Sequence, residues 1–218
     1  MSVLVFADST DGKFKKTAFE VVSYGKKVAE QLATNVVAVT INATDATELY
    51  AYGAEKVLAV SNEGLSTFNA KEYAAVLAEA ASKENATIVV VDSSINGLYL
   101  SPLVAVSLEA GYASNTVSEP SSINPFTVKR KAFSNKAFSN TIISTNKKVI
   151  GLAKNSFGIH ENPVVGTLEA FDATIAASGV KSESVERITG KVTIADADTV
   201  VSAGRGLKGP ENWGMIEE

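Results

Sequence analysis

Residues 1–41 run MSVLVFADSTDGKFKKTAFEVVSYGKKVAEQLATNVVAVTI, and the spacing of their apolar positions decides the fold. Val3 to Ala7 is an apolar run of strand length, closed by a polar turn around Asp11-Gly12. Ala18, Val21, Val22, Gly25, Val28, Ala29 and Leu32 then recur at three- and four-residue intervals, which predicts an amphipathic helix over about Lys16 to Ala33. Val36 to Ile41 returns to a β-branched strand run. A strand, a helix of that length and another strand make a crossover, and crossovers join parallel strands.

The same rhythm continues to about residue 110. Asp45 to Tyr52 predicts a short helix stopped by Gly53, and Lys56 to Val60 a third strand. Asn69 is placed to cap a helix whose buried stripe holds Tyr73, Val76, Leu77 and Ala80. Thr87 to Val91 is the most apolar strand, and a helix from about Gly97 to Leu108 is expected to end at Gly111. Strands alternating with helices require a parallel sheet covered on both faces, so the fold class is three-layer α/β.

From Asn115 to about Arg187 the helical period disappears. Phe126 to Phe133, Lys136 to Ser144, Lys148 to Ala153 and Val164 to Ile175 are strand candidates, and Ser134-Asn135 suggests a two-residue hairpin link. They predict an antiparallel β extension to the parallel sheet. Lys129-Arg130-Lys131 reads as an exposed edge, where charge discourages aggregation. The chain turns polar around Ser182 to Ala195, so the first domain is expected to occupy residues 1–190. A second is expected to begin near Asp196, with a strand from Asp198 to Ser202, a glycine turn at Ala203-Gly204-Arg205-Gly206 and a helix started by Pro210. A strand, a loop and a helix stub bury no core of their own, so residues 196–218 are expected to be the incomplete start of that domain.

Composition removes several classes of chemistry. The chain has no cysteine and one histidine, His160, which leaves no thiolate nucleophile, iron–sulfur cluster or histidine-based metal cluster. Redox chemistry, if present, must come from a bound organic cofactor. The net charge is −4 with scattered Lys and Arg, which gives no footprint for nucleic acid. No apolar run approaches the ~20 residues of a membrane span. The first residues carry no basic lead or small-residue cleavage site. A cytoplasmic bacterial protein fits, as does the mature form of a mitochondrial-matrix protein.

Three places are candidates for chemistry. Thr199 to Glu211 predicts strand, glycine turn and helix start, where backbone can approach a ligand and free N–H groups carry partial positive charge. Arg205, between Gly204 and Gly206, would add a planar charged fork for a phosphate or an electron-rich ring; an ordinary tight turn is the plainer alternative. Asp8-Ser9 and Asp92-Ser93-Ser94 follow strands at a carboxyl edge, where α/β sheets bind ligands. Neither has a glycine-rich phosphate cradle, and turn or capping chemistry accounts for both. Nothing fixes His160 near Ser93 or Ser94, which argues against a hydrolase, and as a lone histidine in a polar loop it reads as solvated.

Four stretches resemble the alpha subunit of electron transfer flavoproteins. They are Ser2-Val-Leu-Val-Phe-Ala-Asp with Gly12-Lys-Phe-Lys, then Tyr52-Gly-Ala-Glu-Lys-Val-Leu-Ala-Val, then Ser101-Pro-Leu-Val-Ala-Val-Ser-Leu-Glu-Ala-Gly-Tyr-Ala-Ser-Asn, and lastly Val200-Val-Ser-Ala-Gly-Arg-Gly-Leu-Lys-Gly-Pro-Glu-Asn-Trp. The last is the most specific, and in the family it opens the FAD domain. The resemblance implies a nucleotide-hydrolase-like first domain that has lost its own nucleotide and packs as a scaffold against a beta subunit. It implies an FAD-dependent electron carrier rather than an enzyme with its own turnover, fed by acyl-CoA-type dehydrogenases and emptied by a quinone oxidoreductase. It further implies that Arg205 reaches the flavin, with Ser202, Gly204 and Gly206 beside it. Ala203 stands where the family usually has glycine, and Lys208-Gly209-Pro210 replaces a Lys-Ser-Gly type sequence. One loop cannot enclose a flavin, so these 218 residues alone are expected to bind FAD poorly. The rival expectation is an adenine-nucleotide-binding module of the universal-stress type.

Overall fold

The computed structural model describes residues 1–175, 178–180, 182–186, 194, 197 and 199–217. The chain divides into two units, Met1–Ser182 and Glu183–Glu218. The predicted boundary residues 187–193, 195 and Asp196 lie outside the described residues, as does Asp198.

In the first unit β1 (Ser2–Phe6) leads through a small ribbon, β2 (Ser9–Thr10) with β3 (Lys13–Phe14), into α1 (Lys16–Gln31) and β4 (Asn35–Ile41). A 3₁₀ helix, Ala46–Tyr52, then precedes β5 (Lys56–Val60), followed by α2 (Ala70–Lys83), β6 (Ala86–Asp92) and α3 (Ile95–Ser107). The later strands are β7 (Gly111–Thr116), β8 (Ser122–Ile123), β9 (Phe126–Ala132), β10 (Ala137–Ile142), β11 (Lys148–Leu152) and β12 (Thr167–Ala170). The main sheet has the order β10-β9-β7-β11-β6-β1-β4-β5-β12, with β8 paired to β9. It is parallel from β7 through β12, and β8, β9 and β10 pair antiparallel.

Alternation along β1 sends Val3 and Val5 to the face covered by α1, and Leu4 and Phe6 to the face covered by α2 and α3. The three layers expected from the sequence are present. Tyr73, Val76, Leu77 and Ala80 are buried as predicted, and Asn69 accepts from the Lys71 and Glu72 N–H groups. Truncating a fully buried leucine such as Leu77 or Leu100 to alanine would cost about 2–5 kcal/mol.

The structure differs from the sequence reading in five places. Gly111 does not end α3. That helix stops at Ser107 and Glu109 takes the left-handed conformation, φ 53°. Gly111 instead opens β7, where a Cβ would sit 2.5 Å from Ile143 Cγ2 and 2.7 Å from Thr145 Oγ1. Only β9 and β10 form the predicted antiparallel hairpin; β11 inserts between β6 and β7, and β12 caps the far edge, both parallel. The hairpin pairs Ala132 with Ala137, so its link is residues 133–136 rather than two residues. Lys129-Arg130-Lys131 is no edge, because β9 lies between β7 and β10; Arg130 donates to Ser114 Oγ and Thr141 Oγ1. In the second unit Thr199–Ser202 carries no strand.

An ion-pair network ties down β12. Lys56 Nζ lies 2.6 Å from Glu84 and 2.7 Å from Glu169, and Lys83 also pairs with Glu169. The hydrogen bonds from Lys56 and Lys83 lower the Glu169 pKa to about 2.

Candidate functional site

Parallel strands bring their carboxyl ends to one edge, so the turns after β1, β6 and β11 share an edge of the first unit. Two predicted groups meet there. Asp8, just past β1, is pushed up from 3.8 to about 6, chiefly by burial and next by the charge of Asp92 at the end of β6; Lys15 and the Ser9 N–H pull the other way. Ser9 Oγ donates to the Ile41 carbonyl at 2.6 Å.

After β6, Asp92 Oδ1 accepts from Ser94 Oγ (2.7 Å), and Ser94 Oγ accepts from the Gly97 N–H (3.1 Å), capping α3. A Cβ on Gly97 would lie 1.9 Å from the Asp92 carbonyl oxygen. The helix thus presses its first turn against the strand end and leaves Asp92 and Ser94 committed to capping. The sequence reading offers turn chemistry as the alternative for this stretch, and the structure adds the capping role of Ser94.

A second concavity, a cleft of about 530 Å³, opens beside α1, lined by Ser23, Lys26, Tyr52, Glu119, Phe157 and His160 among others. The His160 ring is exposed, but the main-chain N–H of His160 donates to Ser23 Oγ (3.0 Å) and the ring meets Phe157 edge-on at 5.2 Å. The sequence reading takes His160 as a solvated loop residue. It missed Glu20 in α1, only 3% exposed, which accepts from four main-chain N–H groups at residues 155–158. The available signal was a carboxylate inside an otherwise apolar stripe.

The glycine–arginine stretch lies in the second unit. Ser202 and Gly204 are exposed, and Gly204 begins a 3₁₀ turn, Arg205–Leu207, closed by Leu207 N–H to the Gly204 carbonyl at 3.1 Å. Arg205 is exposed at the head of that turn. A Cβ built on Gly204 or Gly206 meets nothing within 4 Å, so backbone flanking the guanidinium is open to approach. Ala203 does not adopt positive φ, so alanine carries no backbone strain; the left-handed residue is Lys208, φ 66°. Pro210 opens a second 3₁₀ turn, Pro210–Asn212, followed by α4 (Gly214–Glu217), with Trp213 half-buried. A shallow concavity of about 370 Å³ involves Gly204, Arg205, Lys208, Pro210 and Trp213. These residues fit one side of a flat, electron-rich or phosphorylated ligand: they supply a fixed cation and unobstructed backbone, though not an enclosure.

The family model described as Electron transfer flavoprotein domain matches residues 3–189. The chain belongs to the electron transfer flavoprotein family. A Bacillus subtilis relative named electron transfer flavoprotein subunit alpha is 27% identical over 221 residues, covering 99% of this chain and 68% of the relative. An Acetobacterium woodii relative, lactate dehydrogenase (NAD(+),ferredoxin) subunit LctC, is 25% identical over 225 residues, covering 99% of this chain and 54% of the relative. An Anaerotignum propionicum relative, acryloyl-CoA reductase electron transfer subunit beta, is 29% identical over 112 residues, half of this chain and 30% of the relative. The family match ends before Ser202, whereas the alignment with the Bacillus subtilis relative takes in nearly the whole chain. The mixed α/β sheet described above, most of it parallel, is consistent with that family's domain. Among the described residues no helix is long and apolar enough to cross a membrane.

Proposed function

We propose that the chain is the alpha-type subunit of an FAD-dependent electron carrier, with no substrate turnover of its own. It would accept electrons from acyl-CoA-type dehydrogenases and pass them to a quinone oxidoreductase or another acceptor, in the cytoplasm. The names of the relatives support the carrier role, and two of them name acyl-CoA or lactate chemistry. We place the scaffold domain at residues 1–190 and the start of the flavin domain at 196–218.

The observation that carries the reading is Arg205, exposed at the head of its turn with open glycines on both sides. When bound, FAD supplies the redox chemistry. Arg205 would lie beside the flavin ring and stabilise negative charge on it, since a guanidinium stays protonated at any working pH. Gly204 and Gly206 would let main chain come into contact, and Ser202 would offer a hydroxyl.

Assembly with a beta-type subunit is part of the proposal. α3 carries no charged residue, and its outer face shows Ile95, Leu98, Tyr99, Leu103 and Val106 to solvent at helical spacing. A stripe of that kind is ordinarily covered by a partner. In the α3 cap the Ser94 hydroxyl is spent on Asp92 Oδ1 and the Gly97 N–H on Ser94 Oγ, which speaks against the adenine-nucleotide alternative, whose phosphates would need those two donors free.

The test is flavin retention. The 218-residue chain should leave gel filtration without stoichiometric FAD. Grafting on the remaining C-terminal third of the Bacillus subtilis relative should make it retain the yellow cofactor. Stoichiometric FAD on the ungrafted chain, or none on a folded graft, would contradict the proposal.

A further inference from the structure

The loop after β11 holds an anion site already filled from within the chain. Glu20 Oε1 accepts from the N–H groups of Ser156 (2.9 Å), Phe157 (2.9 Å) and Gly158 (3.0 Å), and Oε2 from that of Asn155 (2.9 Å). Four successive main-chain donors converge on one carboxylate because the loop folds back on itself, with Asn155 at φ 53° and Gly158 at φ 88°. Successive N–H groups turned inward in this way form a nest, the concavity that binds phosphate and carboxylate in many proteins.

Glu20 sits in the second turn of α1 and is 3% exposed, so helix packing fixes where its carboxylate lies. One turn further on, Ser23 Oγ accepts from the main-chain N–H of His160 at 3.0 Å, and its hydroxyl lies within donating reach of both the Phe19 and His160 carbonyls, at 2.9 and 3.1 Å. The same face of α1 therefore holds both ends of the segment 155–160, which walls the cleft through Ser156, Phe157 and His160.

We infer that loop 155–158 is an oxyanion-binding nest whose ligand, the Glu20 carboxylate, is supplied in cis, so that removing this carboxylate opens a site for a free small oxyanion. The nest has the geometry to take acetate or inorganic phosphate, and in the native chain it is closed to both. The inference is independent of the electron-carrier reading, because it concerns only α1 and the loop after β11.

The experiment compares the 218-residue chain with Glu20→Ala and Glu20→Gln. Thermal melts at pH 7 are taken in rising sodium acetate or sodium phosphate, against sodium chloride at matched ionic strength. Glu20→Ala should melt well below the parent and recover saturably with millimolar acetate or phosphate. The parent should show no such gain. Glu20→Gln keeps an acceptor in the nest, so it should fall between the two in stability and show no saturable recovery. In ¹⁵N spectra the amide signals of residues 155–158 should move with added acetate in Glu20→Ala and stay fixed in the parent. The inference is overturned if Glu20→Ala is as stable as the parent, if it responds to the oxyanions no more than to chloride, if the parent recovers equally, or if Glu20→Ala refolds in none of these salts.

Discussion

Replacing Asp8 with asparagine should stabilise the protein at neutral pH and leave it nearly unchanged in acid. The carboxyl lies half-buried at the end of β1, facing the charge of Asp92 at the end of β6, and its pKa is raised from 3.8 to about 6. Each pKa unit corresponds to about 1.4 kcal/mol of preference for the protonated form, so roughly two units amount to about 3 kcal/mol. Between pH 4 and 6 the folded state binds more protons at Asp8 than the unfolded state does. Asp8 is therefore harmless to stability below about pH 4, and its penalty grows as pH rises to about 6, then stays constant. Asparagine keeps the shape without the charge. Urea unfolding of Asp8→Asn and the parent at pH 4, 5, 6 and 7.5 should give a stability difference that grows from near zero to about 1–3 kcal/mol in favour of the variant. The lower figure allows for partial relaxation of the site toward water. Taking the difference cancels groups common to both proteins, including Glu169. A variant less stable than the parent at pH 7.5, or a difference that does not change with pH, refutes this reasoning.

Gly97→Ala should cost about 3 kcal/mol or more in urea unfolding, because its Cβ would fall 1.9 Å from the Asp92 carbonyl oxygen and helix and strand end would have to separate. A loss below about 0.5 kcal/mol would show that α3 is free to shift. Tyr99→Lys and Val106→Lys lie on exposed positions of α3, at 67% and 78% exposure, so the stability of the chain alone should change by no more than about 0.5 kcal/mol. The same changes should weaken association with a beta-type subunit at least about tenfold by calorimetry; equal affinity would remove α3 from the interface.

Local sequence carried most of the parallel half of the fold. The repeat from Ala18 to Leu32, the Asn69 cap and the β-branched runs at Val36, Lys56 and Thr87 each specify an element within their own few residues, and each formed. What local pattern does not specify is neighbour order. Lys148–Leu152 reads as a strand, but its place between β6 and β7 depends on contacts with residues 36 to 60 positions away. β7, with the sequence Gly-Tyr-Ala-Ser-Asn-Thr, has no β-branched run to announce it and is set by that neighbour. The sites divide in the same way. Arg205 stood out because two glycines flank it. Glu20 did not, because its four partners lie about 135 residues away and offer only main-chain N–H groups, which any sequence would supply.

The most direct test of the electron-carrier reading is a reduction potential. With FAD held by the grafted C-terminal third, the flavin midpoint would be measured at pH 7 for Arg205 and for Arg205→Ala. A cation beside the ring favours electron uptake, so its loss should lower the midpoint by tens of millivolts, about 59 mV for each 1.4 kcal/mol in a one-electron couple. An Arg205→Ala protein that holds FAD as tightly as its parent at an unchanged potential would separate Arg205 from the flavin and contradict the reading.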